Sequence, residues 1–171
     1  MIGTAIAQIV VEPLVYTQAQ FYDIDPDGTL HFTSLNNWVN NSHETLTEYR
    51  FVNSDFVDIQ SMTDGNGRPL EFEVDHTDRI NRYRVKLSWP VAPGEPILMA
   101  TQGTMIGLVR RDGDTCTYIM KHSPSAPWKT RRIEVYRLPP GAKLLETTPA
   151  DMARRTRDGR IELYAEKMIP V

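Results

Sequence analysis

The chain of 171 residues is short of cysteine, of long hydrophobic runs and of catalytic motifs, and each shortage excludes a class of protein. Its one cysteine, Cys116, leaves no pair for an intramolecular disulfide. No stretch approaches the roughly 18 consecutive apolar residues that a membrane span requires. A glycine-rich phosphate loop, a nucleophile elbow and a paired acidic site are also missing from the sequence. We therefore predict no catalytic residues and a chain that is not an enzyme, with a small hydrolase of unrecognised site as an alternative.

The charge balance does not favour nucleic acid as a partner. The net charge is −3, with six Lys or Arg against 14 Asp or Glu in residues 1–100 and 13 against eight in residues 101–171. A basic second half can mark a tail for an anionic partner. In an interleaved β domain, however, the two halves mix in space and complement each other. We therefore expect a solvated surface and no nucleic-acid site.

Turn chemistry predicts β-hairpins. Two strand-like runs within residues 14–35 flank Asp25-Pro26-Asp27-Gly28, in which Pro presets φ and Gly accepts the positive φ of a tight turn. Asp64-Gly65-Asn66-Gly67 repeats the device. Gly103 and Gly107 interrupt an apolar run and predict bulges or a bend. Residues 36–42 are interpreted as a polar link.

Alternating polarity predicts the strands between these turns. In residues 79–89, Tyr83, Val85, Leu87 and Trp89 share one face, which we expect in the core. Residues 130–136 alternate Ile133 and Val135 with charged neighbours. The one helical candidate is a single turn at residues 148–151. We predict an all-β fold, an antiparallel β-sandwich of about ten to twelve short strands, forming one domain over 1–171. This domain is either a whole protein or a fragment of a larger chain.

A metal site is one alternative function. Asp23, Asp25, Asp27 and Gly28 spell the opening of a calcium loop, in which alternate carboxylates converge on a hard cation. The position twelve residues into that loop is Ser34, where a bidentate Glu is required, so a plain hairpin is the other interpretation. No other cofactor is expected. Cys116 is interpreted as a buried, inert thiol.

Two groups of residues are candidates for partner binding. Trp38 and Trp128 fall in polar or Pro-rich stretches, where an indole anchors a partner or closes the core. Arg154, Arg155 and Arg157 form, with Arg160, the densest basic cluster. This cluster is interpreted either as a docking site for an anionic group or as a solvated loop.

The order of these features resembles that of a known family. The hairpin, the segment DGNGRPLEF at residues 64–72, a basic amphipathic strand and VAPGEPI at residues 91–97 resemble the N-terminal β-sandwich of zinc aminopeptidases and the lumenal sandwich of ribophorin-type proteins. The later strands and turns, with Pro140-Gly141-Ala142 and Asp158-Gly159-Arg160, are similar to β modules beside bacterial transglutaminase-like domains. The resemblance implies a non-catalytic sandwich that packs on, positions or extends a neighbouring domain. No residue here matches the catalytic motifs of those families.

The sequence therefore predicts a non-catalytic module that binds a protein partner or a neighbouring domain of the same chain. Exposed edge strands also favour homo-oligomers. The resemblance favours a bacterial protein in an extracytoplasmic or envelope-associated location. A calcium- or ligand-binding β protein using the three aspartates is the second hypothesis.

Overall fold

The computed structural model describes residues 16–77, 79–119, 129–147 and 152–169, and these residues form twelve β-strands. The strands are β1 Tyr16–Ile24, β2 Leu30–Val39, β3 Leu46–Ser54, β4 Val57–Asp64, β5 Phe72–His76, β6 Ile80–Val91, β7 Pro96–Met105, β8 Val109–Asp112, β9 Thr115–Tyr118, β10 Thr130–Arg137, β11 Ala153–Arg157 and β12 Arg160–Ile169. The predicted all-β class is confirmed. Within the described ranges no helix could cross a bilayer. The predicted helical turn at 148–151 lies outside them.

The strands form one large sheet and two small ones. The large sheet has the order β11-β12-β10-β1-β2-β7-β4. A three-stranded sheet has the order β3-β6-β5, and β8 and β9 form a separate hairpin. Strand pairs are antiparallel except for β1 and β10, which run parallel and join the start of the chain to its last third. The large sheet is therefore mixed, a detail that the antiparallel prediction did not contain.

The two predicted turns form as their residues require. In the first, the Gly28 amide donates to the Asp25 carbonyl at 3.0 Å, and Gly28 has a φ of +93°. In the second, the Asp64 carboxylate accepts hydrogen bonds from the amides of Asn66 and Arg68 at 2.8 and 3.0 Å. Burial alone would raise the pKa of Asp64, but these bonds and one from Ser88 lower it. Both hairpin predictions are confirmed.

Gly103 marks a close approach of two backbones. A Cβ at this position would lie 1.9 Å from the carbonyl oxygen of Asp58 on β4. The register between β4 and β7 shifts at this point, between Ile59 and Ser61. The extra residue lies on β4, so a bulge forms opposite Gly103 and not in the glycine-containing strand for which it was predicted.

The core lies between the large sheet and the two small ones. Side chains of one face of the large sheet, the inner face, contact the three-stranded sheet and the β8–β9 hairpin. The stacked rings of Trp38 and Tyr49 join β2 to β3, with centroids 4.8 Å apart, and Tyr118 of β9 meets Tyr136 of β10 edge-on. The most buried apolar members include Tyr22, Leu30, Phe32, Met62, Tyr83, Val85 and Met99. Each such side chain contributes about 1.5–3 kcal/mol on burial.

Trp89 is not in the core, contrary to the prediction, and is 42% exposed. The register between β3 and β6 jumps from Leu46 opposite Val91 to Glu48 opposite Lys86. Because the residues between Lys86 and Val91 lie opposite this irregularity, the alternation of β6 breaks there. Tyr83 and Val85 precede the break and are buried, as predicted.

Three other predictions were wrong in detail. The first half of the polar link at 36–42 belongs to β2, which pairs with both β1 and β7 as far as Asn37. Cys116 is exposed, because β9 pairs only with β8 in a two-stranded hairpin. On β10 the buried side chains are Thr130, Glu134 and Tyr136, while the apolar Ile133 and Val135 are half-buried on the other face.

Candidate interaction surface

The face of the large sheet opposite the core, the outer face, is the most distinctive surface of the molecule. Side chains alternate between the two faces along each strand. On β2, Leu30, Phe32 and Ser34 are buried on the inner face, so Leu35 projects from the outer face. The same alternation on β1 buries Tyr22 and exposes Phe21. The pairing register then aligns the outer residues of neighbouring strands in rows across the sheet.

Two of these rows, the apolar rows, are almost free of charge. The first crosses five strands and the second crosses four. They consist of Ala153, Tyr164, Val135, Phe21 and Thr33, and of Ile133, Ala19, Leu35 and Ala100. On β12 the second row ends at Glu166, which lies opposite Ile133 and pairs with Arg131 at 2.8 Å. Adjacent strands place these side chains roughly 5 Å apart, so the two rows form a laterally continuous surface.

Large hydrophobic side chains on the outer face are unusually exposed. Five of the eleven exposed large hydrophobic residues belong to it: Phe21, Leu35, Leu98, Tyr164 and Met168, all between 39% and 48% exposed. A solvated sheet face normally carries polar residues. A contiguous apolar patch on a monomer marks a surface that binds a protein or other partner. The outer face is therefore the candidate interaction surface.

A charged row borders the apolar rows on one side. It crosses the sheet through Arg155, Glu162, Arg137, Asp23 and His31, which face one another on successive strands. Glu162 is 2% exposed, although it lies on the outer face. Its Oε1 accepts hydrogen bonds from Arg137 Nη2 at 2.9 Å and Nε at 3.0 Å, and its Oε2 accepts one from Arg155 Nε. The two guanidinium groups therefore cover this carboxylate.

The charged row continues through Asp23. Arg160 Nη2 lies 2.8 Å from Asp23 Oδ1, and Arg137 Nη1 lies 3.4 Å from Oδ2. Burial alone would raise the pKa of Glu162, but the hydrogen bonds from Arg137 and Arg155 reverse this and hold the pKa below its ordinary value. Glu162 is therefore ionised at neutral pH, and the row is a fixed pattern of opposite charges.

The three aspartates of the calcium hypothesis do not converge. Asp23 pairs with the two arginines, while Asp25 Oδ2 lies 3.0 Å from His31 Nε2. Asp27 accepts a hydrogen bond from the Thr29 amide at 2.8 Å, and this bond lowers the pKa of Asp27. In the described ranges no group of three or more His, Cys, Asp or Glu side chains is placed to hold a metal ion. The hairpin interpretation explains each of the three side chains.

The predicted partner-binding residues lie in different places. Trp38 is half-buried on the inner face, where it stacks on Tyr49. Trp128 lies outside the described residues. Arg154, Arg155 and Arg157 lie on β11, the edge strand of the large sheet, and not in the predicted loop. Arg155 joins the charged row, so the structure connects the basic cluster to the outer face.

The apolar rows and the Glu162 pairs were missed by sequence reasoning. Phe21 and Leu35 stand in strands whose inner faces mix apolar residues with polar ones such as Gln20 and Asn36, so alternation did not separate a core face from a second apolar face. The partners of Glu162 come from β10 and β11, up to 25 residues away along the chain, and only the strand order brings them together. A strand with apolar residues on both faces, such as β1, is the signal that could have indicated two packed faces.

A second buried polar cluster lies on the inner face. Glu134 is surrounded by Tyr22, Tyr118 and Tyr136, with Lys167 Nζ 3.6 Å from its Oε2. Burial, followed by the nearby charges, raises the pKa of all three tyrosines, so their hydroxyls stay protonated. Because these groups lie inside the packed core, they shape the core and do not meet a substrate from solvent.

Comparison with solved structures identifies the fold. An M1 zinc metallopeptidase from Deinococcus radiodurans, in a mutant form, matches 92% of this chain with a TM-score of 0.56 and 14% identity. Yeast LTA4 hydrolase in complex with bestatin matches 91% with a TM-score of 0.59 and 8% identity. A putative protease from Parabacteroides distasonis matches 90% with a TM-score of 0.54 and 13% identity. The fold is similar to one part of these proteins.

The matched part is the smaller share of each of them. The chain spans 39%, 27% and 35% of the lengths of these three chains. No protein-family model and no curated protein matches the sequence. The resemblance to a sandwich of the zinc aminopeptidases is thus confirmed for the fold, and function has to be argued from this chain's own surfaces.

Proposed function

We propose that this chain is a non-catalytic β-sandwich module that packs against a neighbouring domain or protein through the outer face of its large sheet. The observation that carries the proposal is the pair of apolar rows, with Phe21, Leu35 and Tyr164 about two-fifths exposed. Covering such side chains contributes about 25 cal/mol for each Å² removed from water. The similarity to a part of larger peptidases supports a role beside another domain.

The charged row gives this surface an orientation. The apolar rows supply affinity, while Arg155, Arg137 and Asp23 along one border supply a fixed pattern of charge that a partner has to complement. Polar rims around apolar centres are typical of protein interfaces. A partner with an apolar centre and complementary charges on one side would fit this face in a single orientation.

A site-specific crosslinking experiment tests the proposal. A photoreactive benzoylphenylalanine replaces Leu35 on the outer face, and in a control chain it replaces Val52, which is 59% exposed on β3 of the small sheet. After irradiation in the source cells, we expect a discrete crosslinked peptide from position 35 and none from position 52. Mass spectrometry of that peptide shows whether it belongs to the same chain or to another protein.

A double substitution completes the test. Phe21→Ser with Leu35→Ser leaves the inner face intact, so the chain should fold but lose the crosslink formed from a probe placed at Leu98. The matched control is Val52→Ser, which should retain that crosslink. Equal crosslinking from Val52 and Leu35, or persistence of the Leu98 crosslink in the double variant, would contradict the proposal.

A further inference from the structure

The free edge of β11 is a second surface with a distinct chemistry. β11 is the terminal strand of the large sheet and, among the described residues, pairs with β12 alone. All five of its residues are exposed. Three of the five are arginine and none is acidic. An edge strand offers a row of unpaired backbone groups to any extended chain that approaches it.

The turn that precedes β12 determines which backbone groups of β11 are free. Asp158 and Gly159 both have positive φ, 51° and 72°, as a two-residue type I′ hairpin requires. In such a hairpin the closing pair, Arg157 and Arg160, exchanges ladder hydrogen bonds, and the bonded and non-bonded pairs then alternate. The N–H and C=O groups of Arg154 and Thr156 therefore point away from β12, toward the free edge.

The side chains along this edge are basic on both faces of the strand. Arg155 projects from the outer face and is bound to Glu162, and Arg157 lies 3.7 Å from the exposed Asp158. Arg154 projects from the opposite face, and among the described residues no acidic side chain pairs with it. A strand laid beside β11 would meet these arginines as its cross-strand neighbours, where opposite charges stabilise and like charges destabilise the pair.

We propose that the β11 edge binds an extended acidic segment of a partner protein, which adds to the large sheet as an eighth strand. The free amides and carbonyls of Arg154 and Thr156 pair with the segment's backbone, and its Glu or Asp side chains lie opposite the arginines. Two β11 edges cannot pair with each other in this way, because arginine would face arginine. β11 carries no aromatic side chain on which a base could stack, so the edge suits a peptide better than a nucleic acid.

Peptide chemistry tests the backbone pairing without altering the protein. The probe is a fluorescein-labelled peptide, Glu-Val-Glu-Val-Glu-Val-Glu with blocked ends, and its affinity is measured by fluorescence anisotropy. N-methylation of alternate residues removes the backbone N–H donors along one edge of the peptide while keeping every charge. We expect the N-methylated peptide to bind at least about tenfold more weakly, because it cannot donate hydrogen bonds to the carbonyls of Arg154 and Thr156. The peptide with Lys in place of Glu should not bind.

Variants of the chain provide the converse test. Thr156→Pro removes the backbone N–H that points toward the free edge, and it breaks no hydrogen bond to β12. It should therefore weaken peptide binding by about tenfold while all arginines are retained. The double variant Arg154→Gln with Arg157→Gln should abolish peptide binding, because it removes the positive charges that face the peptide's carboxylates. The control, Arg82→Gln with Arg84→Gln, removes the same charge from β6, a central strand with no free edge, and should bind normally. Hydrogen exchange of the Arg154 and Thr156 amides should slow when the acidic peptide is bound.

Three results would overturn the proposal: no binding of the acidic peptide up to about 1 mM, equal binding of its N-methylated form, or tighter binding of a single-stranded DNA oligonucleotide of the same charge. Because the N-methylated peptide is tested on the unaltered chain, the result does not depend on whether Thr156→Pro folds. The edge shares only Ala153 with the apolar rows, while Phe21 and Leu35 lie on β1 and β2, which do not pair with β11, so Phe21→Ser with Leu35→Ser should leave peptide binding unchanged. Failure of one proposal is thus distinguishable from failure of the other.

Discussion

Both faces of the large sheet carry apolar side chains, but among the described residues only the inner face is packed against other strands. The inner face, which packs on the small sheet and on the β8–β9 hairpin, buries Glu134 among tyrosines. The outer face, which no other described strand covers, carries Phe21 and Leu35 at 43% and 46% exposure. A sheet that exposes aromatic and aliphatic side chains on its second face has two faces suited to packing. One face is packed within the described residues, and the proposal assigns the other to a partner.

The two faces also differ in what covers their buried carboxylates, Glu134 and Glu162. On the inner face, the Glu134 carboxylate is enclosed by the core and approached by Lys167. On the outer face, arginines that remain partly exposed cover Glu162. Because Arg137 and Arg155 are 36% and 65% exposed, a partner on the outer face would meet these arginines before it met Glu162.

The largest expected effect comes from replacing a phenylalanine on the inner face. Phe32 is 6% exposed, and Phe21, on the neighbouring strand, is 43% exposed. Phe32→Ala should lower the free energy of unfolding by about 3–5 kcal/mol, because it removes buried apolar surface and leaves a cavity. Phe21→Ala should cost less than about 1 kcal/mol in the isolated chain. Urea denaturation monitored by tryptophan fluorescence measures both.

Phe32→Leu, which leaves a smaller cavity, keeps this comparison measurable if Phe32→Ala does not fold. Similar losses for the substitutions at Phe32 and Phe21 would mean that the outer face is packed within the chain. The apolar rows would then belong to the core and not to an interface.

A medium effect is expected at Glu162. Glu162→Gln keeps the shape of the side chain but removes the charge that binds Arg137 and Arg155, and it should cost about 1–3 kcal/mol at pH 7. The folded-state pKa of Glu162 is lowered, so its stabilisation is present above the unfolded pKa of about 4.3 and is lost as the pH falls through the folded value. The wild type should therefore lose more stability than the variant on acidification below about pH 5.

Glu71→Gln is the matched control for Glu162→Gln. Glu71 pairs with Lys86 at 3.3 Å, but both side chains are more than 70% exposed. Removing this pair should change stability by less than about 0.5 kcal/mol, since exposed ion pairs contribute little. If the two substitutions gave equal losses and parallel acid profiles, the covered charged row would have no special stability.

The smallest effect is expected from calcium. Because Asp23 is held by two arginines and Asp27 by the Thr29 amide, 1 mM CaCl₂ should move the melting temperature by no more than about 1 °C. Differential scanning fluorimetry with matched MgCl₂ makes the measurement. A calcium-specific rise of several degrees that Asp25→Ala removes would instead establish the calcium hypothesis.

Local sequence patterns predicted those features whose causes are local. Asp25-Pro26-Asp27-Gly28 and Asp64-Gly65-Asn66-Gly67 formed turns because their φ values and side-chain hydrogen bonds involve neighbours within four residues. Alternation in β6 predicted the buried Tyr83 and Val85 until the register jumped.

What the sequence could not predict depends on distant strands. The parallel pairing of β1 with β10 places Asp23 beside Arg137, 114 residues away, and so explains why Asp23 faces arginines and not a cation. The same pairing aligns Phe21 with Val135 and extends the apolar rows across the sheet. Alternation tells which residues share a face, but not which face is covered. The sequence by itself determined the turns and most of the strands, because short-range sterics and hydrogen bonds define them. Only the tertiary structure decided that no other described strand covers the outer face or pairs with the β11 edge, because strand order determines what lies beside and above each strand.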